Sequence, residues 1–200
     1  MICAIVLAAG RSTRMGAQKL LLPFGGRTVI EHIVDEVGAS PIEGIVVVTG
    51  ADAPAVSDAL SGRDVRTVNN RDPEAEMLSS VRCGLNEIPV ECEAVLIVLG
   101  DQPSIQSDWI DQLVGAFRAG SRGIVVPVYE GHRGHPMLID ARYCREILTA
   151  HDDDGLRGFL DAHEDDVLRF PIDTSAVLED MDYPADYLRE LERARELRPA

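Results

Sequence analysis

The residues best placed to do chemistry lie in LAAGRSTRMGAQK, residues 7 to 19, which leaves a short apolar run and carries Arg11, Arg14 and Lys19 with no acid among residues 11 to 19. Lys19 is the only lysine among 19 basic residues; the others are all arginine. An ammonium on a flexible stem can follow a mobile polyphosphate as a compact point charge, whereas the planar arginine fork demands one geometry. The segment is not a dinucleotide fingerprint, because Gly10 and Gly16 have five residues between them. Nor does it contain the G-x-x-x-x-G-K-[ST] of a P-loop. It is still a glycine-bearing turn leaving a strand, able to aim backbone N–H groups at an anion. The second candidate is Asp101 in GDQP, residues 100 to 103, at the end of the most apolar run in the chain. A carboxylate there can cap a helix as a turn residue. It can also hold Mg²⁺ while phosphate oxygens and waters complete the shell.

Strands and helices must carry these side chains to one place. ICAIVLA (2–8) reads as a buried strand, and TVIEHIVDEVG (28–38) sets Val29, Ile30, Ile33, Val34 and Val37 on one helical face with Gly38 as a stop. Further strands are expected at 44–50, 65–68, 94–100, 123–129, 133–140 and near 167–172. Helices are expected at 53–61, 77–88, at 107–120 capped by Ser107, twice within 141–164, and over the charged C-terminal stretch. Apolar strands separated by helices imply a mostly parallel sheet covered on both faces: an α/β, Rossmann-like doubly wound fold in one domain spanning residues 1–200. Ligands of such sheets bind at the carboxyl ends of the strands, where strand order reverses. That rule sets the loop after ICAIVLA opposite the loop after AVLIVLG. A cationic loop facing a carboxylate is what a metal–phosphate complex requires.

The 34 acidic against 19 basic residues leave a net charge of −15, which repels a long polyanion such as DNA or RNA. No apolar stretch approaches the ~20 residues needed to cross a bilayer. The first residues lack the basic n-region of a signal peptide, so no membrane partner and a cytoplasmic location are expected. Cys3, Cys83, Cys92 and Cys144 contain no C-x-x-C pair, so the expectation is reduced thiols and no zinc site. DDD (152–154) and EDD (164–166) read as solvated faces, since calcium-loop spacing is absent. LRELERAREL reads as an exposed helix with i, i+4 Glu–Arg pairs. His132 reads as exposed, and Met77 and Met137 as core.

LAAGRSTRMGAQK resembles the opening L-A-[AG]-G-x-S-x-R-M-G-x-x-K of the MobA-like nucleotidyltransferases, and GDQP resembles their metal-binding G-D-x-P. RGHP (133–136) and DMDYPADY (180–187) are similar to two later signatures, so the resemblance spans residues 5 to 187. Ala9, GDQP and RGHP resemble the molybdenum cofactor cytidylyltransferase branch more than the guanylyltransferase branch. The resemblance implies a fold of the nucleotide-diphospho-sugar transferase type. It also implies a Mg²⁺-dependent transfer of a nucleoside monophosphate from an NTP, CTP favoured, to a phosphorylated molybdopterin-type acceptor, with pyrophosphate released. On this resemblance the backbone at Leu7, Ala8, Ala9 and Gly10 contacts the nucleotide, Arg14 and Lys19 hold the triphosphate, and Asp101 holds the metal with Asp182. Asn70 contacts the base or ribose, Ser80 lies near the nucleotide, and His135 lines the acceptor pocket. DGLR (154–157) is similar to a stretch near that pocket. A molybdoenzyme or its maturation factor is the implied protein partner.

Two positions depart from the pattern: Glu76 stands where glycine is usual, and Gln18 where proline is frequent. An added carboxylate beside an anionic substrate is unfavourable by an amount set by its burial. The alternatives are a guanylyl or sugar-phosphate nucleotidyltransferase, a nicotinamide-dependent oxidoreductase on the same sheet, and a silent binding protein that keeps the fold.

Overall fold

A computed structural model describes residues 1–10, 14–72, 76–120 and 122–196. The chain begins with β1 (Ile2–Ala8), a small hairpin of β2 (Pro23–Phe24) and β3 (Arg27–Thr28), then α1 (Val29–Gly38) and β4 (Gly44–Thr49). There follow α2 (Ala53–Ala59), β5 (Arg66–Asn69), α3 (Met77–Leu85), β6 (Ala94–Leu99) and α4 (Ser107–Ala119). The second half holds β7 (Ile124–Tyr129), β8 (His132–Arg133), β9 (Met137–Asp140), α5 (Cys144–Thr149), α6 (Gly155–Ala162), β10 (Val167–Pro171) and α7 (Pro184–Glu196).

The main sheet runs in the order β10-β7-β9-β6-β1-β4-β5, with β8 paired to β7. Strand β1 lies between β4 and β6, parallel to both, with Leu7 opposite Val48 and Leu99. Only β9 and the short β8 run against their neighbours, so the sheet is mostly parallel, as expected. Side chains alternate across a strand, and β1 shows the result. Ile2, Ala4, Val6 and Ala8 join one apolar layer with α1, α2 and α4, on which α7 also packs. Ile5 joins the other, beneath α3, α5 and α6. The core is therefore two layers, one on each face.

Local chemistry fixes the helix starts. Thr28 and Glu31 cap α1 reciprocally, each side chain meeting the other's backbone N–H. The expected cap of α4 shifts by one: Gln106, extended at φ −128°, is the N-cap, and Ser107 is already helical with its N–H donated to Glu36 at 3.1 Å. The expected strand 133–140 is two strands, because Gly134–Pro136 turns the chain between β8 and β9.

The cysteine expectation is corrected for one pair. Cys3 and Cys92 form a disulfide with Cα atoms 6.2 Å apart, while Cys83 and Cys144 are free. The register that sets Ile2 against Ala94 brings these residues, 89 apart in sequence, to the same end of the sheet. Met77 is also corrected: as the first residue of α3 it is 44% exposed, whereas Met137 is buried. The run 152–154 is exposed, as expected, whereas the run 164–166 and the C-terminal helix are each less solvated than expected at one residue. Asp166 accepts from Gly123 N–H and Tyr143, and Glu190 on α7 is buried against Ser104 and Arg193. His132 is exposed, as expected. Among the described residues no helix is long and apolar enough to cross a membrane.

Candidate active site

The carboxyl ends of β1 and β6 lie side by side, and the loops leaving them close on one another. Gly100, just after β6, donates its N–H to the Leu7 carbonyl at 2.9 Å, and a Cβ there would meet that oxygen at 2.6 Å. Only glycine lets the strand ends approach so closely. Asp101 follows directly. Its loop is pinned from α1, where His32 Nε2 donates to the Pro103 carbonyl at 2.9 Å.

Lys19 opens a short 3-10 turn, Lys19–Leu21, with its ammonium turned inward and its side chain 9% exposed. Its Nζ lies 2.6 Å from Asp101 Oδ2 and 3.0 Å from Asp182 Oδ1. Arg14 Nη1 reaches the other oxygen of Asp182 at 3.1 Å, and its guanidinium lies 5.6 Å from the centre of the Tyr183 ring. Burial alone would lower the Lys19 pKa, but the Asp101 and Asp182 carboxylates outweigh it and hold the group above the ordinary lysine value. Four side chains drawn from positions 14, 19, 101 and 182 thus form one continuous ionic cluster.

The segment before α7 is stitched to GDQP. Met181 N–H donates to the Asp101 carbonyl at 2.9 Å, and Gln102 Nε2 to Asp180 Oδ1 at 2.8 Å. Asp186 then accepts from the N–H groups of Asp182 and Tyr183, setting the turn that aims Asp182 at Lys19. Burial first, and the Asp101 charge second, push the Asp180 carboxyl above the usual aspartate range. Gln102, Asp180 and Asp186 were not foreseen as site-building residues. Their signal was present in DMDYPADY, but only pairing with the distant GDQP gives it meaning.

The remaining candidates divide into three groups. Leu7, Ala8 and Ala9 form the floor at the end of β1, and Gly10 opens outward with nothing within 4 Å of a would-be Cβ. Asn70, after β5, donates to Ser79 at 3.1 Å and to Ser80 at 3.2 Å, so those predicted contacts form one polar unit at the start of α3. His135 lies between β8 and β9. Its Nε2 is buried and has no hydrogen-bond partner. Burial, opposed by the Asp101 charge, lowers its pKa to about 4, so the ring is neutral near pH 7. Arg11 lies outside the described residues. Glu76 and Arg157 are exposed, and Gln18 bonds Asp52. A cavity of about 620 Å³ between α1 and α7, lined by Phe24, His32, Ile105 and Tyr187, contains none of the ionic cluster. The charges converge away from that cavity.

Among the described residues no three His, Cys, Asp or Glu side chains form a metal cage. Asp101 and Asp182 are two carboxylates converging on one cation, a donor set that suits Mg²⁺, which takes one or two carboxylates and fills its shell with phosphate oxygens and water.

Residues 4–167 match the MobA-like NTP transferase domain. The chain belongs to that family. A nucleotidyl transferase from Methanothermobacter, Mth528, superposes with a TM-score of 0.86 at 27% identity, covering 99% of each chain. Rv0371c from Mycobacterium tuberculosis gives 0.85 at 28% identity, covering 96% of this chain and 97% of its own; that protein also has a structure in complex with manganese. Among curated proteins, a nicotine blue oxidoreductase of Paenarthrobacter nicotinovorans is 32% identical over 190 residues, 90% of this chain and 92% of that one. The bifunctional protein GlmU of Francisella tularensis is 31% identical over 145 residues, covering 71% of this chain but only 31% of GlmU.

Proposed function

We propose that residues 1–200 serve as one nucleotidyltransferase domain, acting in the cytoplasm, which moves a nucleoside monophosphate from CTP to a phosphorylated, molybdopterin-type acceptor and releases pyrophosphate. The observation that carries this reading is Lys19, lodged between Asp101 and Asp182 at the paired ends of β1 and β6. A phosphorylated acceptor is already a nucleophile, so no strong protein base is needed. The barrier is the approach of an anion to an anionic α-phosphorus while pyrophosphate departs. Such reactions are accelerated mainly by positioning and by charge stabilisation.

The roles follow from placement. Lys19 and Arg14 neutralise the triphosphate and the departing pyrophosphate. The strand-end backbone at Leu7 to Gly10 and the Asn70–Ser80 unit seat the nucleoside. Asp101 and Asp182 would hold Mg²⁺, which when bound offsets charge on the phosphate oxygens. Neutral, half-buried His135 lines the acceptor pocket. A molybdoenzyme or its maturation factor would receive the product. The cytidine preference rests on Ala9, GDQP and RGHP.

The test is a thermal-shift panel of NTPs with Mg²⁺, followed by pyrophosphate release with the acceptor. At 100 Kd a ligand stabilises by about 2.7 kcal/mol, on the order of 5–10 °C for a chain of this size. CTP should give the largest shift. Preference for GTP would overturn the branch, and silence with every NTP would overturn the class.

One observation supports a second reading. A relative matched over 92% of its own length is a nicotine blue oxidoreductase. An oxidoreductase here would bind NADH or NADPH and enhance its fluorescence saturably, whereas a nucleotidyltransferase would not.

A further inference from the structure

We propose that Lys19 is a resident stand-in for the divalent ion: without nucleotide its ammonium occupies the place between Asp101 and Asp182, and it yields that place only when a triphosphate draws it away. This rests on the metal reading above and adds to it an order of loading.

Asp101 Oδ2 and Asp182 Oδ1 face a single point, and Lys19 Nζ sits there at 2.6 and 3.0 Å. Bare carboxylates so placed would repel one another, and the low exposure of Lys19 limits screening by water. A Mg²⁺ ion would claim the same oxygens at about 2.0–2.1 Å. Two cations cannot share that gap. The ammonium hangs on a flexible four-carbon stem with three donors, so it can transfer to a phosphate without moving the backbone. An arginine fork would bind one carboxylate bidentately and would not let go so readily. The single lysine of a chain otherwise written in arginine therefore stands where release matters. Exchange of this kind links the two ligands: whatever nucleotide does for metal affinity, metal does for nucleotide affinity.

The test is titration with Mn²⁺ alone, with no nucleotide present, read by calorimetry on wild type, Lys19→Met and Arg14→Gln. Lys19→Met should bind Mn²⁺ about tenfold more tightly than wild type, within the usual range of site-to-site linkage, and Arg14→Gln should gain distinctly less. Equal affinity in wild type and Lys19→Met, with both binding Mn²⁺ once CTP is added, would overturn the stand-in and leave the metal site intact. An equal gain in Arg14→Gln would reduce the effect to bulk charge and overturn it too. Should neither protein take up Mn²⁺ even with CTP, the metal reading fails and this inference with it. A measurement on wild type needs no variant to fold. Lys19 is the only lysine, so ¹⁵Nζ-lysine labelling yields one side-chain resonance. Mg²⁺ alone should leave it in place and Mg²⁺ with CTP should move it; an unmoved resonance would overturn the proposal.

Discussion

Lys19 and Asp101 meet across 82 positions of sequence, and their replacement should be felt in turnover before it is felt in stability. Lys19→Ala should lower kcat by about 10²–10³, the cost of removing one preorganised charge-stabilising group. Lys19→Arg should fail to restore it, since the fork cannot reproduce the compact ammonium. Pyrophosphate release on folded protein is the measurement, and wild-type turnover in both Lys19→Ala and Asp101→Asn would refute the assignment. His135 supplies a pH signature. Its folded pKa of about 4 lies below the ordinary 6.5. Between those values the unfolded chain takes up a proton that the folded one refuses, so this contribution is full above pH 6.5 and is lost as pH falls toward 4. The full span corresponds to roughly 3 kcal/mol. Denaturation midpoints of His135→Phe should fall less steeply across that window than those of wild type. At this scale Lys19, Arg14 and Asp101 were legible because their types and spacing name a chemistry. The bond between Gln102 and Asp180 was not, because it spans 78 positions and only the fold brings GDQP and DMDYPADY together.

Helices and strands position those side chains, and two glycines show how differently an element can weigh the same change. Gly84 lies within α3 directly over β1, where a Cβ would sit 2.5 Å from Ile5 Cγ2, a side chain with no exposure. Alanine favours helix by about 0.8–1 kcal/mol over glycine, but overpacking a closed core costs about 1–3 kcal/mol. The clash wins, and Gly84→Ala should melt at lower temperature. Gly115, on the exposed side of α4, has nothing within 4 Å of its would-be Cβ. There the propensity acts alone, and Gly115→Ala should melt higher. Opposite signs in two thermal scans check the pair; equal signs would contradict it. Continuous apolar runs made β1, β4 and β6 readable, and the 3.6-residue period did the same for α1. The division of 133–140 into β8 and β9 was hidden, because both halves are good strand sequence and only the sheet dictates that β9 runs antiparallel to β6.

The molecule as a whole adds a covalent tie to its two apolar layers. Cys3–Cys92 closes a loop of 89 residues from β1 to the approach of β6. Cross-links of that kind contribute about 2–4 kcal/mol, chiefly by restricting the unfolded chain. Reduction with dithiothreitol should lower the melting temperature, and Cys3→Ser should match the reduced protein. No change in melting temperature on reduction would refute that contribution. From the residues alone came the α/β class, the two loops that must meet, the sign of the charge on each, and the family they resemble, because periodicity and residue type act over short stretches of chain. Three-dimensional packing decided the rest: that Asp182 closes the cluster, that Asn70 bonds Ser80, that Nε2 of half-buried His135 is enclosed without a partner, and that two cysteines pair. Each of those depends on a contact between segments far apart in sequence, whose free energy exists only after the sheet has brought them within reach.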